Sequence, residues 1–366
     1  MTVDLFSSLS LRETELSNRV MVSPMCQYSC DARDGHLTDW HRQHLASRAV
    51  GGAGLVMTEA TAVEERGRIS PEDLGIWDDN HIEALAELTA FIRAQGSVPA
   101  MQLAHAGRKA STARPWEGGA PLDPSEGGWP VIGPTDEPYP HRDGTPPTTT
   151  RMGTADIDAV TESFAAAARR ADDAGFEIVE VHAAHGYLLH EFLSPVTNSR
   201  EDAYGGSFKN RIRFPLEVID AVRAVWPDEK PVFLRILATD WLDDRPSWNL
   251  DQSIRFADRA AARDVDLIDV SGGGIHPDQQ LPAAGPGYQT GYASRLKAET
   301  DHDVAVGAVG AITAPAQADA VIRTGQSDLA IIGREHLRDP YFTLHAAAEL
   351  GREDAVSVPP QYRRAF

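Results

Sequence analysis

Cysteine and lysine are scarce in this chain. Of 366 residues two are cysteine, Cys26 and Cys30, and four are lysine, Lys109, Lys209, Lys230 and Lys297. Two thiols cannot build a disulfide framework or a four-thiolate cluster, and a lone Cys-x3-Cys is a weak metal signal. Long apolar runs are missing too. Nothing approaches the roughly 18 residues of a membrane span, and the first residues, MTVDLFSSLSLRETELSNR, lack the basic-then-apolar layout of a signal peptide. A soluble, cytoplasmic protein is expected. Positive charge is short: 34 Lys and Arg stand against 54 Asp and Glu, a formal net charge of −20. Such a field disfavours nucleic acid and anionic membranes as partners. A GC-rich genome explains arginine in place of lysine but not the acidity. The acidity fits a halophilic source, where salt screens self-repulsion. No G-x-G-x-x-G and no G-x-x-x-x-G-K-[ST] occurs, which argues against a doubly wound nucleotide-binding sheet.

What the chain does have is an eightfold alternation. Short apolar runs rich in β-branched residues occur at 18–25, 54–60, 98–105, 176–182, 231–237, 265–271, 303–310 and 327–333. They are near-continuous rather than alternating, as suits parallel strands buried on both faces. Amphipathic stretches follow them at 38–50, 80–95, 154–174, 209–226, 249–263, 290–300, 314–324 and 339–350. Within 154–174, Ile157, Val160, Phe164, Ala167 and Ala171 recur every three or four residues. Thr154 is the expected N-cap there, and Gly175 the stop. This order predicts an α/β fold, a single-domain (β/α)8 barrel spanning 1–366. The connection 106–153, after the third run, is too long for a simple loop. With Trp116 and Trp129 in it, it is expected to be a capping excursion.

In such a barrel the chemistry sits where strands end. The ends supply Ser23, Cys26 and Tyr28, then Glu59 and Ala60, then Gln102, His105 and Lys109. The fourth supplies His182, His185 and Tyr187, and the fifth Arg235. The last three end in Ser271 to Gly274, in Gly310, and in Gly333 and Arg334. Glycines at three adjacent strand ends let backbone N–H groups approach an anion. With Arg334 added, they predict a phosphorylated ligand. The ring is polar, with Glu59 and Asp269 as its acids. His182, His185 and His190 could form a zinc trio serving a metal-dependent barrel hydrolase. That reading stays open as an alternative, although His190 falls in an apolar helix.

The segments SPMCQY, LGIW, QLAHAGRK, HAAHGYLLHEFLSP, NRIRF and IIGREHLRDP resemble the old yellow enzymes, a family of flavin-dependent ene-reductases. The closest likeness is to the shorter bacterial type with a cysteine after the first strand. It runs from about residue 4 to the C-terminus. The resemblance implies FMN across the top of the barrel, with NADPH or NADH as hydride donor. It implies reduction of the C=C bond in electron-poor alkenes such as enones, enals, maleimides and nitroalkenes. By position it assigns Ser23, Pro24, Met25, Cys26, Ala60, Gln102, Arg235, Gly310, Gly333 and Arg334 to the flavin. It assigns His182 and His185 to the activating oxygen of the substrate, Tyr187 to proton donation, and Tyr28 to closure over the substrate. Lys109 lies in a shared motif without a role. In the terminal PPQYRRAF, Arg364, beside Arg363, matches an arginine that reaches a neighbouring subunit's site. A homodimer, or a homotetramer built of dimers, is then expected, with 355–366 as the reaching tail. A catalytically idle flavin-binding protein is the remaining alternative.

Overall fold

The computed structural model describes residues 3–365. The chain opens with an antiparallel hairpin, β1 (Leu9–Leu11) and β2 (Thr14–Leu16), which the apolar pattern did not announce. Eight parallel strands then close a barrel. They are β3 (Val20–Val22), β4 (Leu55–Ala62), β5 (Val98–Ala104), β8 (Ile178–Ala183), β9 (Val232–Leu237), β10 (Leu267–Ser271), β11 (Ala305–Ala308) and β12 (Leu329–Ile332). β6 (Val131–Gly133) and β7 (Thr149–Arg151) pair with each other inside the long excursion. All eight apolar runs became barrel strands. The reason is visible in β4, β8 and β9, where every residue is buried.

Helices cover the outside: α1 (Asp39–Val50), α2 (Ile82–Ala94), α3 (Thr154–Asp173), α4 (Leu188–Leu193), α5 (Phe208–Arg211), α6 (Arg213–Arg223), α7 (Leu250–Ala261), α8 (Thr290–Glu299), α9 (Pro315–Arg323), α10 (Arg334–Arg338) and α11 (Phe342–Glu349). The stretch 209–226 is two helices, broken at Ile212. In α3 the cap is Gly153 rather than Thr154. Asp156 accepts the Gly153 N–H at 2.8 Å, so Thr154 is already the first helical residue. Gly175 ends the helix at φ +78°, a left-handed position that glycine fills without strain. No helix among the described residues is long and apolar enough to cross a membrane.

The barrel interior is layered. Its lower half is apolar: Met21, Leu55, Met57, Phe233, Leu267 and Ile331 pack with Leu16 of the hairpin. Each large side chain buried there contributes about 1.5–3 kcal/mol. Above this plug the interior turns polar. Register pairs Gln102 with Glu180, and Arg235 with both His182 and Asp269. Side chains on one strand alternate faces, so Glu180 and His182 share the inward side. The polar layer therefore leads to the strand ends.

The excursion 106–153 is ordered by contacts with the 64–77 segment. The Arg68 guanidinium lies between the rings of Trp77 and Trp129, at 5.2 and 5.1 Å. Trp129 also donates its Nε1–H to the Arg66 carbonyl. Trp116 is mostly exposed, with its ring edge-on to Tyr28 at 5.8 Å.

Candidate active site

The fourth barrel strand ends in a tight reversal. Ala184 O accepts the Tyr187 N–H at 3.2 Å, and the two residues between, His185 and Gly186, have φ of +59° and +74°. This is a type I′ turn, which needs two left-handed residues. Gly186 is required there: an added Cβ would strike the Gly274 carbonyl. The turn folds His185 back beside His182, with ring centroids 5.1 Å apart, and sets the Tyr187 ring edge-on to His182 at 5.2 Å.

The hydrogen bonds fix the tautomers. Ala184 N–H donates to His182 Nδ1 at 3.2 Å, so neutral His182 carries its proton on Nε2. That Nε2–H points to His185 Nδ1 at 3.3 Å, which leaves the His185 proton on its own Nε2, facing Ser271 Oγ at 2.7 Å. Both rings are held well below the ordinary imidazole range, by burial first and then by Arg235. The pair is therefore neutral. A ligand oxygen would have to displace His185 Nδ1 or Ser271 Oγ to take either N–H. The phenol of Tyr187 is pushed up, chiefly by burial, and stays protonated.

Three groups hold this turn. The Lys109 ammonium donates to the carbonyls of His185 and Gly274, each at 2.9 Å, and lies 5.1 Å above the Tyr187 ring. Burial pulls it down to about 8. His190, inside the fully buried α4, accepts the Gly186 N–H on Nδ1 at 3.0 Å and faces Asp240 with Nε2 at 3.0 Å. Glu191 accepts the Arg108 N–H at 2.9 Å, next to Lys109. His190 thus directs Nδ1 to Gly186 and Nε2 to Asp240, away from His182 and His185, which removes the zinc trio. Among the described residues no group of three or more His, Cys, Asp or Glu is placed to hold a metal.

The segment after β3 is clamped in the same way. Gln27 N–H donates to Glu59, whose other oxygen meets buried His41 at 2.8 Å. Tyr28 follows with φ +49°. Burial pushes the Cys26 thiol and the Tyr28 phenol up, so both keep their protons.

Arg235 faces Asp269 on the next strand, 3.3 Å from its Nε, and among the described residues neither that Nε nor the Asp269 oxygens has a hydrogen-bond partner. One expectation needs correction: the glycines after β10 do not join the phosphate corner. Cβ atoms on Gly272 and Gly273 would meet the Trp241 ring, and one on Gly274 would meet the His185 backbone. They make room for neighbours within the protein. The other two strand ends do converge: Gly310, Gly333 and Arg334 line one cavity of about 270 Å³ with Met25 and Gln289. A larger cavity of about 900 Å³ lies elsewhere, on the outside between α6 and α7.

The polar leftovers of the barrel mouth fit a phosphorylated flavin. Gln102 donates Nε2 to Glu180 at 2.7 Å, which leaves its Oε1 as an acceptor. Gln289 Oε1 is buried without a partner in the 270 Å³ cavity. Gly310 has φ +132°, and a Cβ there would come within 2.8 Å of Gln289 Cβ. Ser23 N–H continues the ladder by donating to Ile332 O. Pro24 is half-buried, while Ala60 is buried opposite Gln102. Arg364 is exposed; among the described residues no hydrogen bond or ion pair links it to the histidines. Phe366, the end of the expected tail, lies outside the described residues.

Sequence reasoning missed Glu180, Asp73, Gln289 and the partner role of Ser271. For Glu180 a signal existed, since it stands two residues before His182 on one strand. Glu180 is held up to about 8 by burial, with Asp269 adding to the rise.

A closed parallel barrel with a glycine-lined cavity, neutral donors and a retained phenol at its mouth fits a barrel-type flavin oxidoreductase. The comparisons agree. The model of the NADH:flavin oxidoreductase / NADH oxidase family matches residues 4–353, and the chain belongs to that family. It is 43% identical over 362 residues to an NADPH dehydrogenase of Geobacillus sp. (strain WCH70), covering 99% of this chain and 98% of the relative. It is 42% identical over 363 residues to an NADPH dehydrogenase of Bacillus subtilis (strain 168), covering 99% of each. Among solved structures, morphinone reductase in complex with tetrahydroNAD superposes with a TM-score of 0.74 at 26% identity, over 98% of this chain and 93% of that one. The old yellow enzyme homologue from Zymomonas mobilis shares the fold, at TM-score 0.77 and 23% identity, over 98% of each chain. The protein is an FMN-dependent oxidoreductase that uses NAD(P)H, and the alternatives of a metal hydrolase and an idle flavin binder fall.

Proposed function

We propose that this enzyme reduces the C=C bond of α,β-unsaturated carbonyl and nitro compounds. The observation that carries the reading is the type I′ turn, which brings two neutral imidazoles and a protonated phenol to one wall of the barrel mouth. FMN, when bound, takes hydride from the nicotinamide and passes it to the alkene. The protein's own part is electrostatic and acidic. His182 and His185 give their Nε2–H groups to the substrate oxygen on which charge develops. Tyr187 then delivers its proton to the α-carbon. Tyr28, with Trp116 against it, closes the other side. Gln102, Arg235 and Ala60 would face a bound flavin ring, with Ser23, Pro24, Met25 and Cys26. Gly310, Gly333 and Arg334 would hold its phosphate. Cys26, kept as a thiol, would be a polarizable neighbour of the ring that tunes its potential.

Arg364 is proposed to complete a partner subunit's site in a dimer; its exposure and lack of a partner within its own barrel are compatible with that. The net charge of −20 supports a halophilic source; full activity and stability near zero salt would contradict it. The main test is stopped-flow kinetics with NADPH and then cyclohexenone. Tyr187→Phe should slow alkene reduction by about 10²–10⁴ with flavin reduction intact. His182→Ala with His185→Ala should abolish phenol charge-transfer bands. Unchanged alkene reduction and persistent phenol bands would defeat the proposal.

A further inference from the structure

Asp73 lies between β4 and α2 and is 3% exposed. Its Oδ2 accepts the Ile69 N–H at 2.6 Å. Its Oδ1 is buried and, among the described residues, has no partner. No ion pair joins Asp73 to any described cation, although Arg68 is near enough to act on it. Asp73 and Tyr187 line the same small cavity, whose other walls include Ala60, Ala62, Gly67 and Ile69. Among the described residues they are the only two lining it with polar side chains. The space open to a water is about 10 Å³, close to one molecule.

An ionised carboxyl with one oxygen buried and unpartnered beside this apolar cavity would be costly. Burial, with Glu59 adding, raises Asp73 well above the usual carboxylate range. It is thus a carboxylic acid with a proton to give. Its neighbour across the cavity is the group that loses one.

We propose that Asp73 reprotonates Tyr187 through a water in this cavity. This rests on the reading of Tyr187 as the acid. The balance is simple. When the phenol gives its proton to the α-carbon, a phenolate remains. The Asp73 O–H bond breaks, the water passes a proton on, and the Tyr187 O–H bond re-forms. The negative charge ends on Asp73, which recovers its proton from solvent. No electrons move in the relay. Asp73 therefore acts through Tyr187 and does not touch substrate. The competing view is that Asp73 only holds the 69–73 turn through the Ile69 N–H.

The test uses the holoenzyme with Asp73→Asn, which keeps an oxygen for the Ile69 N–H and removes the proton. Multiple-turnover reduction of cyclohexenone should fall about a hundredfold, the low end for a positioned proton donor. On a Tyr187→Phe background the same change should add nothing, because both act in one step. Equal slowing on both backgrounds would make Asp73 structural and overturn the proposal, as would wild-type turnover in Asp73→Asn. A second measurement needs no variant activity. In the difference between wild-type and Asp73→Asn apoprotein at neutral pH, where the Glu180 and Glu191 bands cancel, the infrared carbonyl band of a buried carboxylic acid should appear. Wild-type alkene turnover should decline as that band is titrated away at higher pH. A missing band overturns the relay. If Tyr187→Phe alone leaves alkene reduction unchanged, the parent reading fails and the relay with it, whatever the band shows.

Discussion

His190 gives the sharpest test of how the catalytic turn is held. Replacing it with alanine removes the acceptor of the Gly186 N–H, which an unsatisfied buried donor makes costly by about 1–3 kcal/mol. It also removes the ring whose Nε2 lies 3.0 Å from buried Asp240 Oδ1, while Ser194 Oγ–H and Trp248 N–H both donate to the other oxygen at 2.7 Å. Losing that close polar neighbour of a buried carboxyl costs about 1–3 kcal/mol. The two losses share one side chain and will not add fully, so about 3–5 kcal/mol is expected. At about 2.1 cal/mol/K per residue, a chain of this length loses one degree of Tm for roughly 0.8 kcal/mol. Calorimetry should therefore show a fall of about 4–6 °C. His190→Asn retains an oxygen able to accept the Gly186 N–H and should lose roughly half as much. Since the turn carries His185 and Tyr187, His190→Ala should also slow alkene reduction more than flavin reduction. A Tm within about one degree of wild type, with unaltered phenol binding, would refute the assigned role.

Other consequences can be checked separately. Gly310→Ala puts a Cβ against Gln289 in a backbone region that costs about 1–3 kcal/mol for other residues; circular dichroism should be unchanged and purified protein should carry little FMN, and full occupancy would contradict the phosphate corner. Ser271→Ala frees the His185 Nε2–H from its partner, so phenol should bind about fivefold tighter, equivalent to about 1 kcal/mol; weaker binding would mean that Ser271 orients the ring. Burial raises Glu180 and Glu191 to about 8 in the folded protein, so between pH 6.5 and 8 the folded state binds more protons than the unfolded. Apoprotein stability should then fall as pH rises, each group contributing up to about 1.4 kcal/mol per pH unit. Glu191→Gln should remove one share of that slope, and an unchanged slope in urea titrations would rule it out. Burial lowers His44 to about 3 and His336 to about 4, so below pH 6.5 the unfolded state binds more protons through these groups and they act in the opposite sense; stability should be greatest near pH 6–7.

The barrel was legible because parallel strands covered on both faces must be near-continuously apolar. That constraint is local, and all eight runs show it. The hairpin β1–β2 escaped notice because three-residue strands carry too little period. The excursion's order also lay beyond reach, since Arg68 meets Trp129 across sixty-one residues of chain. Among site residues, His182, His185 and Tyr187 could be read together because they lie within six residues at one strand end. The neighbour of Arg235 escaped for the opposite reason. Asp269 is thirty-four residues away and comes beside it only through strand register.

By itself the sequence determined the eightfold order, the strand ends that carry chemistry, and the grouping of His182, His185 and Tyr187 at the fourth of them, because each rests on periodicity or on positions within a few residues. Tertiary structure alone decided which polar groups face one another. It set Gln102 against Glu180, turned His190 toward Asp240 and away from the histidine pair, and placed Asp73 across a cavity from Tyr187. Those pairings depend on barrel closure and register, and closure is a property of all eight strands at once.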